Sequence, residues 1–426
     1  MMTHSWWLFY NMVVMPLMAI VAYALAPVNR KVRRGLRGRR RTLRRVAHFR
    51  NTTCDRSGML YWFHVASHGE YEQTRPVIQG LREVAPESVI VVSFFSPSGY
   101  EHFDHQAVDF TFYLPIDFPW VMRRLLRILK PQKVVFTSYD IWPNLIWNCQ
   151  KADIPTTLFA ARVVPGSTKQ WPILSNFYRH IYGAIGHIYT VSEADYFRVK
   201  AILGRAAKTE VKNLGNPRYD RVKERNQRNG STRRRDGQER IIILGSLHKE
   251  DEDVIGPPLI DTLRQDDSVQ VLWAPHEPEP EVIDAIGARL SEAGISWERF
   301  GRRLGRFLDS QVLIVDGVGY LAELYCRSVL AYIGGGFSSN VHNVMEAAIA
   351  GIPVIFGPKY GHSHEAEQLI ACGGGVSVKS TEEFQHQLTT FLDDDISRQK
   401  AGEAALKVIE DNLGASARIL QAILGS

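Results

Sequence analysis

The stretch Ala331–Pro358, AYIGGGFSSNVHNVMEAAIAGIPVIFGP, packs two apolar runs, a glycine turn and a polar connection into under thirty residues. The run Val329–Ile333 reads as a buried parallel strand and stops at Gly334, Gly335 and Gly336, which tolerate positive φ and let a ligand approach bare backbone. Ser338, Ser339, Asn340, His342 and Asn343 then read as the opening of a helix, with Glu346 one turn inside. Unpaired N–H groups at a helix start attract an anion, so a phosphate fits there and ribose hydroxyls fit beside the carboxylate. Gly351 ends the helix, and Ile352–Phe356 reads as the next strand, closed by Gly357 and Pro358. A plain strand–helix–strand unit with a glycine-rich turn would show the same pattern.

Around this stretch, strand and helix alternate along most of the chain. Strands are expected at Leu60–Val65, Val89–Phe95, Lys133–Thr137, Thr156–Ala160 and His187–Val191, then at Ile241–Leu244, Val269–Trp273, Gln311–Val315, Leu330–Ile333 and Val354–Phe356. Between the two series lies a polar, highly charged stretch, 223–240, read as an exposed linker. The spacing predicts two doubly wound α/β domains, 51–222 and 241–426, facing each other across a cleft. The last helix of the second is allowed to pack back on the first. With 426 residues and 45% hydrophobic content, both domains can bury a core. Cys54, Cys149, Cys326 and Cys372 show no metal-type spacing and read as reduced thiols of a cytosolic compartment.

The charge is concentrated at one end. Eleven Lys and Arg fall between Arg30 and Arg50, no acidic residue precedes Asp55, and the rest of the chain holds 40 basic against 45 acidic residues. Directly before them, Trp6–Pro27 (WWLFYNMVVMPLMAIVAYALAP) is long and apolar enough to cross or lie in a bilayer. Charges that follow the apolar run, with no small-residue cleavage site, fit an uncleaved anchor and place the body on the cytoplasmic side. Residues 1–50 are therefore expected to be a membrane anchor with a basic juxtamembrane segment. No aromatic-interleaved basic surface continues into the body, which argues against nucleic acid as a partner.

The first domain has its own candidate site. Leu60–Val65 runs into Ala66, Ser67, His68, Gly69 and Glu70, so a carboxylate stands at the C-terminal end of a parallel strand, where ligands bind. Glu70 is placed to act as a general base, or only to complement a helix dipole. His64 and His68 are weaker candidates.

Seven segments together carry a family resemblance: HVASHGE at 64–70, FFSPSGYE at 94–101, DIWPNL at 140–145, GNPRYDR at 215–221, LGSLHKEDED at 244–253, APHEPE at 274–279 and VHNVMEAAIAGIPVIFGP at 341–358. In that order they resemble the 3-deoxy-D-manno-octulosonic acid (Kdo) transferases of lipopolysaccharide biosynthesis, most of all the branch found in Bacteroidetes-like bacteria. The resemblance implies a GT-B glycosyltransferase fold of two Rossmann-like domains, with the acceptor in the first and CMP-Kdo mainly in the second. It implies an inverting, metal-independent transfer of Kdo to a tetraacylated lipid A precursor at the inner membrane, with no cofactor beyond the donor substrate. The family's catalytic base carries onto Glu70, and acceptor contacts onto Ser67, His68, Gly69, Asp140 and Asn144. Donor contacts carry onto Ser246, His248, His276, Gly335, Gly336, Asn343 and Glu346, the last expected to hold the ribose. Two positions depart from the pattern: Ser138 stands where many relatives have an acidic residue, and Pro275 where many have arginine. Arg75, Arg162, Arg218 and Lys359 are the candidate basic residues for the missing contact. Two other readings stay open, a GT-B transferase using a UDP sugar and a homologue that binds nucleotide or lipid without turnover. Oligomeric state, acyl preference and the number of Kdo residues added leave no mark in the sequence.

Overall fold

A computed structural model describes residues 2–52, 58–101, 103, 106–205, 207–228, 240–301, 310–317 and 319–425. Cys54 and most of the expected linker, 229–239, lie outside the described residues. The chain forms two compact units: Met1–Arg221 with Gly414–Ser426, and Val222–Leu413.

Each unit is built on a seven-stranded parallel sheet. In the first, β1 (Leu60–Val65), β2 (Val89–Phe94), β3 (Phe110–Tyr113), β4 (Lys133–Thr137), β5 (Thr156–Ala161), β6 (His187–Thr190) and β7 (Glu210–Asn213) are ordered 3-2-1-4-5-6-7. The second holds β8 (Arg240–Leu247), β9 (Val269–Pro275), β10 (Trp297–Arg299), β11 (Val312–Ile314), β12 (Leu330–Ile333), β13 (Val354–Phe356) and β14 (Gly375–Ser377), ordered 10-11-9-8-12-13-14. The central strands β1, β2, β4 and β5 are buried at every position because helices cover both faces. All six residues of β1 are buried, and Trp62 and Phe63 have no exposed surface. In both sheets the strand order reverses beside the first strand, between β1 and β4 and between β8 and β12. Loops leaving a parallel sheet on either side of such a reversal diverge and open a crevice at the strand C-termini. Both candidate sites stand at these reversals.

The strands expected from the sequence are all present, four with the expected ends and the others with ends shifted by one to three residues. Four strands were not anticipated: β3, β7, β10 and β14, the outer strands of the sheets, each three or four residues long. An outer strand is covered on fewer sides and needs less apolar sequence, as EVKN in β7 illustrates.

Two expected boundaries differ from the structure, and the last helix packs back on the first unit as allowed. Within the supposed juxtamembrane segment 1–50, the helix Thr42–Thr52 buries Val46 and Phe49 in the first unit's core, worth about 1.5–3 kcal/mol each. Part of the supposed linker is ordered, as the helix Arg218–Arg228. Residues Gly414–Ser426 belong to the first unit, where Ile419, Leu420 and Ile423 pack with Val77 and Leu81, and Asp220 accepts the N–H groups of Gly414 and Ser416.

The apolar N-terminus is helical from Met2 to Leu25, with a widened π turn at Tyr10–Val14 just before Pro16, whose ring cannot join a regular α-helical turn. One face is fastened to the first unit. Trp6 Nε1 donates to Asn176 at 2.8 Å, the Tyr10 hydroxyl to Asp117 at 3.0 Å, and Asn11 exchanges two hydrogen bonds with Asn144. Met15 is fully buried, while Phe9, Met12, Val13 and Ile20 face outward.

Candidate functional site

In the first unit, β1 ends at Val65 and the helix His68–Val84 starts two residues later, with Ser67 as N-cap. The Ser67 side chain makes no capping bond; instead Glu70 reaches back to accept the Ala66 N–H at 2.6 Å. The helix-start role and the chemical role thus fall on one carboxylate. Burial pushes Glu70 up to about 7, and nearby Asp140 adds to the rise, against the lowering pull of the Ala66 N–H and of Arg218. A carboxyl poised near neutrality is what proton abstraction from a sugar hydroxyl requires.

Behind it lies a chain of polar groups that begins on the fully buried His64. Trp62 donates to Ser93 at 2.8 Å, Ser93 meets His64 Nδ1 at 2.8 Å, and His64 Nε2 lies 2.9 Å from Asp140. The tautomer sets the roles: a proton on Nε2 points at the Asp140 carboxylate, while a proton on Nδ1 faces Ser93 and leaves Nε2 to accept the Trp142 indole N–H. Trp142 Nε1, 3.1 Å from the same Nε2, closes the corner. Ser138, held at φ 58°, donates to Gln73, and Gln73 donates to Asn216, which also accepts the Arg218 N–H. The position where many relatives are acidic is therefore part of a neutral amide network.

Of the expected acceptor residues, Ser67, His68, Gly69 and Asp140 gather at this crevice with Glu70. Asn144 does not. It is fully buried, donating its backbone N–H to Asp117 and its side chain to Asn11. Asp117 itself, with no exposed surface, is pushed up to about 7 by burial although three donors reach it.

In the second unit, three loops bring three imidazoles together. His248 follows β8, His276 follows β9, and His342 lies in the connection after β12. Their rings are nearly parallel, with centroids 4.3–5.1 Å apart, and His248 Nε2 lies 2.8 Å from His342 Nε2. Burial, with the other two imidazoles adding to it and Asp251 opposing, lowers His342 to about 4; burial and His248 also lower His276. One ligand nitrogen from each lies within 4.8 Å of the others, so the trio has the chemistry to hold a metal ion or, with N–H groups turned outward, an anion.

The glycine turn is built differently from its expectation. The helix that was to open at Ser338 is only Met345–Ile349, five residues, and the preceding polar residues form turns. Several of the backbone N–H groups meant for a phosphate are occupied. Gly335 and Phe337 donate to Asp251 at 2.7 and 3.2 Å, Ser339 to the Gly335 carbonyl, Val341 to that of Lys359, and His342 to that of Gly334. Gly335 and Gly336 are buried, and a Cβ there would lie 2.3 Å from the Asn340 carbonyl and 2.5 Å from Gly357. Close backbone packing, rather than ligand approach, requires glycine at both. Asn343 caps the short helix through the Met345 N–H. Lys359 binds the Phe337 and Ser338 carbonyls. Glu346 pairs with Arg225 at 2.7 Å, and Arg225 also donates to the Gly319 carbonyl. Ser246 stands at φ 57° beside the trio's first loop.

Asp251 is the residue sequence reasoning missed. It is fully buried, accepts the Tyr332 hydroxyl at 3.0 Å besides the two loop N–H groups, and closes the capping box of the helix Lys249–Gln265. Its signal was present: an acid three residues into a helix after HK, the capping-box spacing.

Residues 37–221 match the family model "3-Deoxy-D-manno-octulosonic-acid transferase (kdotransferase)". The chain is 28% identical over 335 residues to a 3-deoxy-D-manno-octulosonic acid transferase of Chlamydophila psittaci, covering 76% of each chain. It is 26% identical over 394 residues to the enzyme of that name from Haemophilus influenzae, covering 90% of this chain and 91% of the other. These are similarities of sequence that extend over most of the chain. Among solved structures, UDP-GlcNAc 2-epimerase from Neisseria meningitidis superposes with a TM-score of 0.62 at 16% identity, over 86% of this chain and 100% of that one. That likeness is one of fold, and the fold is GT-B-like.

Proposed function

We propose that this protein transfers Kdo from CMP-Kdo to a tetraacylated lipid A precursor, with inversion and without a metal. The observation that carries the reading is Glu70, a carboxyl pushed up to about 7 by burial at the strand-order reversal of the first sheet, beside Asp140 and His64. The reading is supported by the sequence relatives named above, whose names give the Kdo transfer.

In this reading Glu70 takes the proton of the acceptor hydroxyl as its oxygen bonds to the Kdo anomeric carbon. The bond from that carbon to the CMP phosphate breaks in the same step, which inverts the centre. The leaving phosphate gains negative charge. With five of the loop N–H groups spent on Asp251 and on neighbouring carbonyls, imidazole N–H donors of His248, His276 and His342 stabilise it. Glu346 exchanges its pairing with Arg225 for the ribose hydroxyls. Ser67, His68, Gly69 and Asp140 line the acceptor side. Assignment to the Bacteroidetes-like branch rests on the motifs alone.

The body is proposed to sit on the cytoplasmic face of the inner membrane. Bonds from Trp6, Tyr10 and Asn11 to the folded unit favour a helix lying in the membrane surface over one leaving it across some 30 Å of hydrocarbon. The test is mass spectrometry of the tetraacylated precursor incubated with CMP-Kdo and the detergent-solubilised protein. A gain of one or more Kdo masses that disappears in Glu70→Ala supports the reading. No gain from folded protein that binds CMP refutes the acceptor assignment.

A further inference from the structure

A cavity of about 540 Å³ opens on the first unit between the N-terminal helix, the helix Arg30–Arg39 and the loops after β2 and before the helix Pro143–Lys151. Its wall is almost wholly apolar: Met18 and Ala22 from the first helix, Leu36 from the second, and Phe95, Ile116 and Trp142 from the body. Lys31 and Arg39 are the charged residues lining it, and no acid precedes Asp55 in the chain. Arg39 is fixed, its guanidinium 4.6 Å above the Phe95 ring and bonded to the Leu114 and Phe95 carbonyls. Lys31 is exposed at the rim.

The inner wall leads to the chemistry. Phe95 and Trp142 pack with ring centroids 4.9 Å apart. Trp142 reaches His64, His64 meets Asp140, and Asp140 acts on Glu70. An amphiphile whose chain fills the cavity thus has its polar end directed toward the crevice that holds Glu70, past a basic rim.

We propose that this cavity is an acyl-chain subsite, holding one fatty chain of a phosphorylated glycolipid acceptor so that its sugar hydroxyl is presented to Glu70. This rests on the acceptor reading above and adds how the acceptor is selected. The occupant is argued from charge and position. An apolar slot rimmed only by cations suits an anionic lipid, and a slot ending beside the candidate base suits the lipid that reacts rather than bulk membrane lipid. The anchor helix supplies one wall, so the same element that meets the membrane shapes the entry for its substrate.

The experiment compares two acceptors, the tetraacylated phosphorylated glucosamine disaccharide and its deacylated headgroup, on the full chain in detergent. Ala22→Trp fills the cavity. The ratio of kcat/KM for the acylated over the deacylated acceptor falls at least about tenfold, because a displaced chain misplaces the hydroxyl. Ala24→Trp, on the exposed side of the same helix, leaves the ratio at the wild-type value. Retained turnover of the headgroup shows that the variant is folded. An unchanged ratio in Ala22→Trp, or an equal fall in both variants, overturns the proposal.

A second readout does not depend on turnover. The acylated disaccharide carrying a diazirine in its chain is photolysed on the protein, and the adducts are mapped by mass spectrometry. Adducts at Met18, Leu36 or Trp142 support the subsite even if Kdo transfer fails, in which case the reaction assignment falls and the subsite stands. Adducts confined to the outward residues Phe9, Met12 and Ile20 show membrane contact only and overturn it.

Discussion

Lowering the pH from about 8 to about 6 takes a carboxyl of pKa about 7 from roughly ten-elevenths ionised to roughly one-eleventh. Glu70 must be ionised to accept the acceptor proton, so kcat/KM falls about tenfold over that interval, with an acid limb centred near 7. The sign follows from the cause: burial disfavours the charged form, so activity is gained as pH rises through the raised pKa and lost below it. Two substitutions move the limb in opposite directions. Arg218 lowers Glu70, so Arg218→Met shifts the limb to higher pH; Asp140 raises it, so Asp140→Asn shifts the limb to lower pH. The assay is the initial rate of Kdo incorporation at limiting acceptor across the pH range, which reports on the free enzyme. Glu70→Gln removes the base and costs about 10²–10⁴ in rate. A limb that stays in place in both variants, or one that persists in the residual activity of Glu70→Gln, would refute the assignment of the base.

Other consequences are open to direct measurement. Asp251→Ala leaves the Gly335 and Phe337 N–H groups and the Tyr332 hydroxyl without their acceptor and should cost about 3–5 kcal/mol in denaturant unfolding of the second unit, with loss of nucleotide affinity; a change under about 1 kcal/mol would contradict the loop's dependence on it. Glu346→Ala is expected to weaken CMP binding about tenfold by calorimetry, and Arg225→Ala to tighten it, since the arginine competes for the carboxylate rather than serving the ligand. Exhaustive chelation should leave Kdo transfer unchanged; activity lost with chelator and restored by zinc would instead make His248, His276 and His342 a functional metal site. Asp117→Ala removes the shared acceptor of Tyr10, Asn144 and Leu145 and should release the N-terminal helix to limited proteolysis while the sheet's secondary structure stays intact.

How far the sequence reached differs between fold and site. Central strands such as β1 and β12 are legible because a strand covered on both faces is mostly apolar, whereas β7 and β14, at the sheet edges, carry no such demand. Glu70 was found because its place at the end of a strand is a local fact. Asn144 was misread because its motif looks functional, while its surroundings, Asp117 and the anchor residue Asn11, are 27 and 133 residues away. The glycine turn was misread for a related reason. Composition shows that backbone is bare, but only the position of Asp251 shows that two of its N–H groups are already used.

The sequence alone determined the alternation of strand and helix, the central strands of the two sheets, the apolar N-terminal segment with its basic sequel and the carboxylate after β1. All of these follow from hydrophobic period and turn chemistry within a short window. Tertiary structure decided which polar groups meet. Parallel pairing of β8 with β9 and β12 brings the loops after their C-terminal ends together, and so gathers His248, His276 and His342 from across nearly a hundred residues. Burial raised Glu70 above its ordinary carboxyl range, and docking of the first helix against the body made a cavity from residues that read only as a membrane segment. Desolvation and hydrogen-bond partnership depend on every atom nearby in space, and a linear pattern records only the neighbours in the chain.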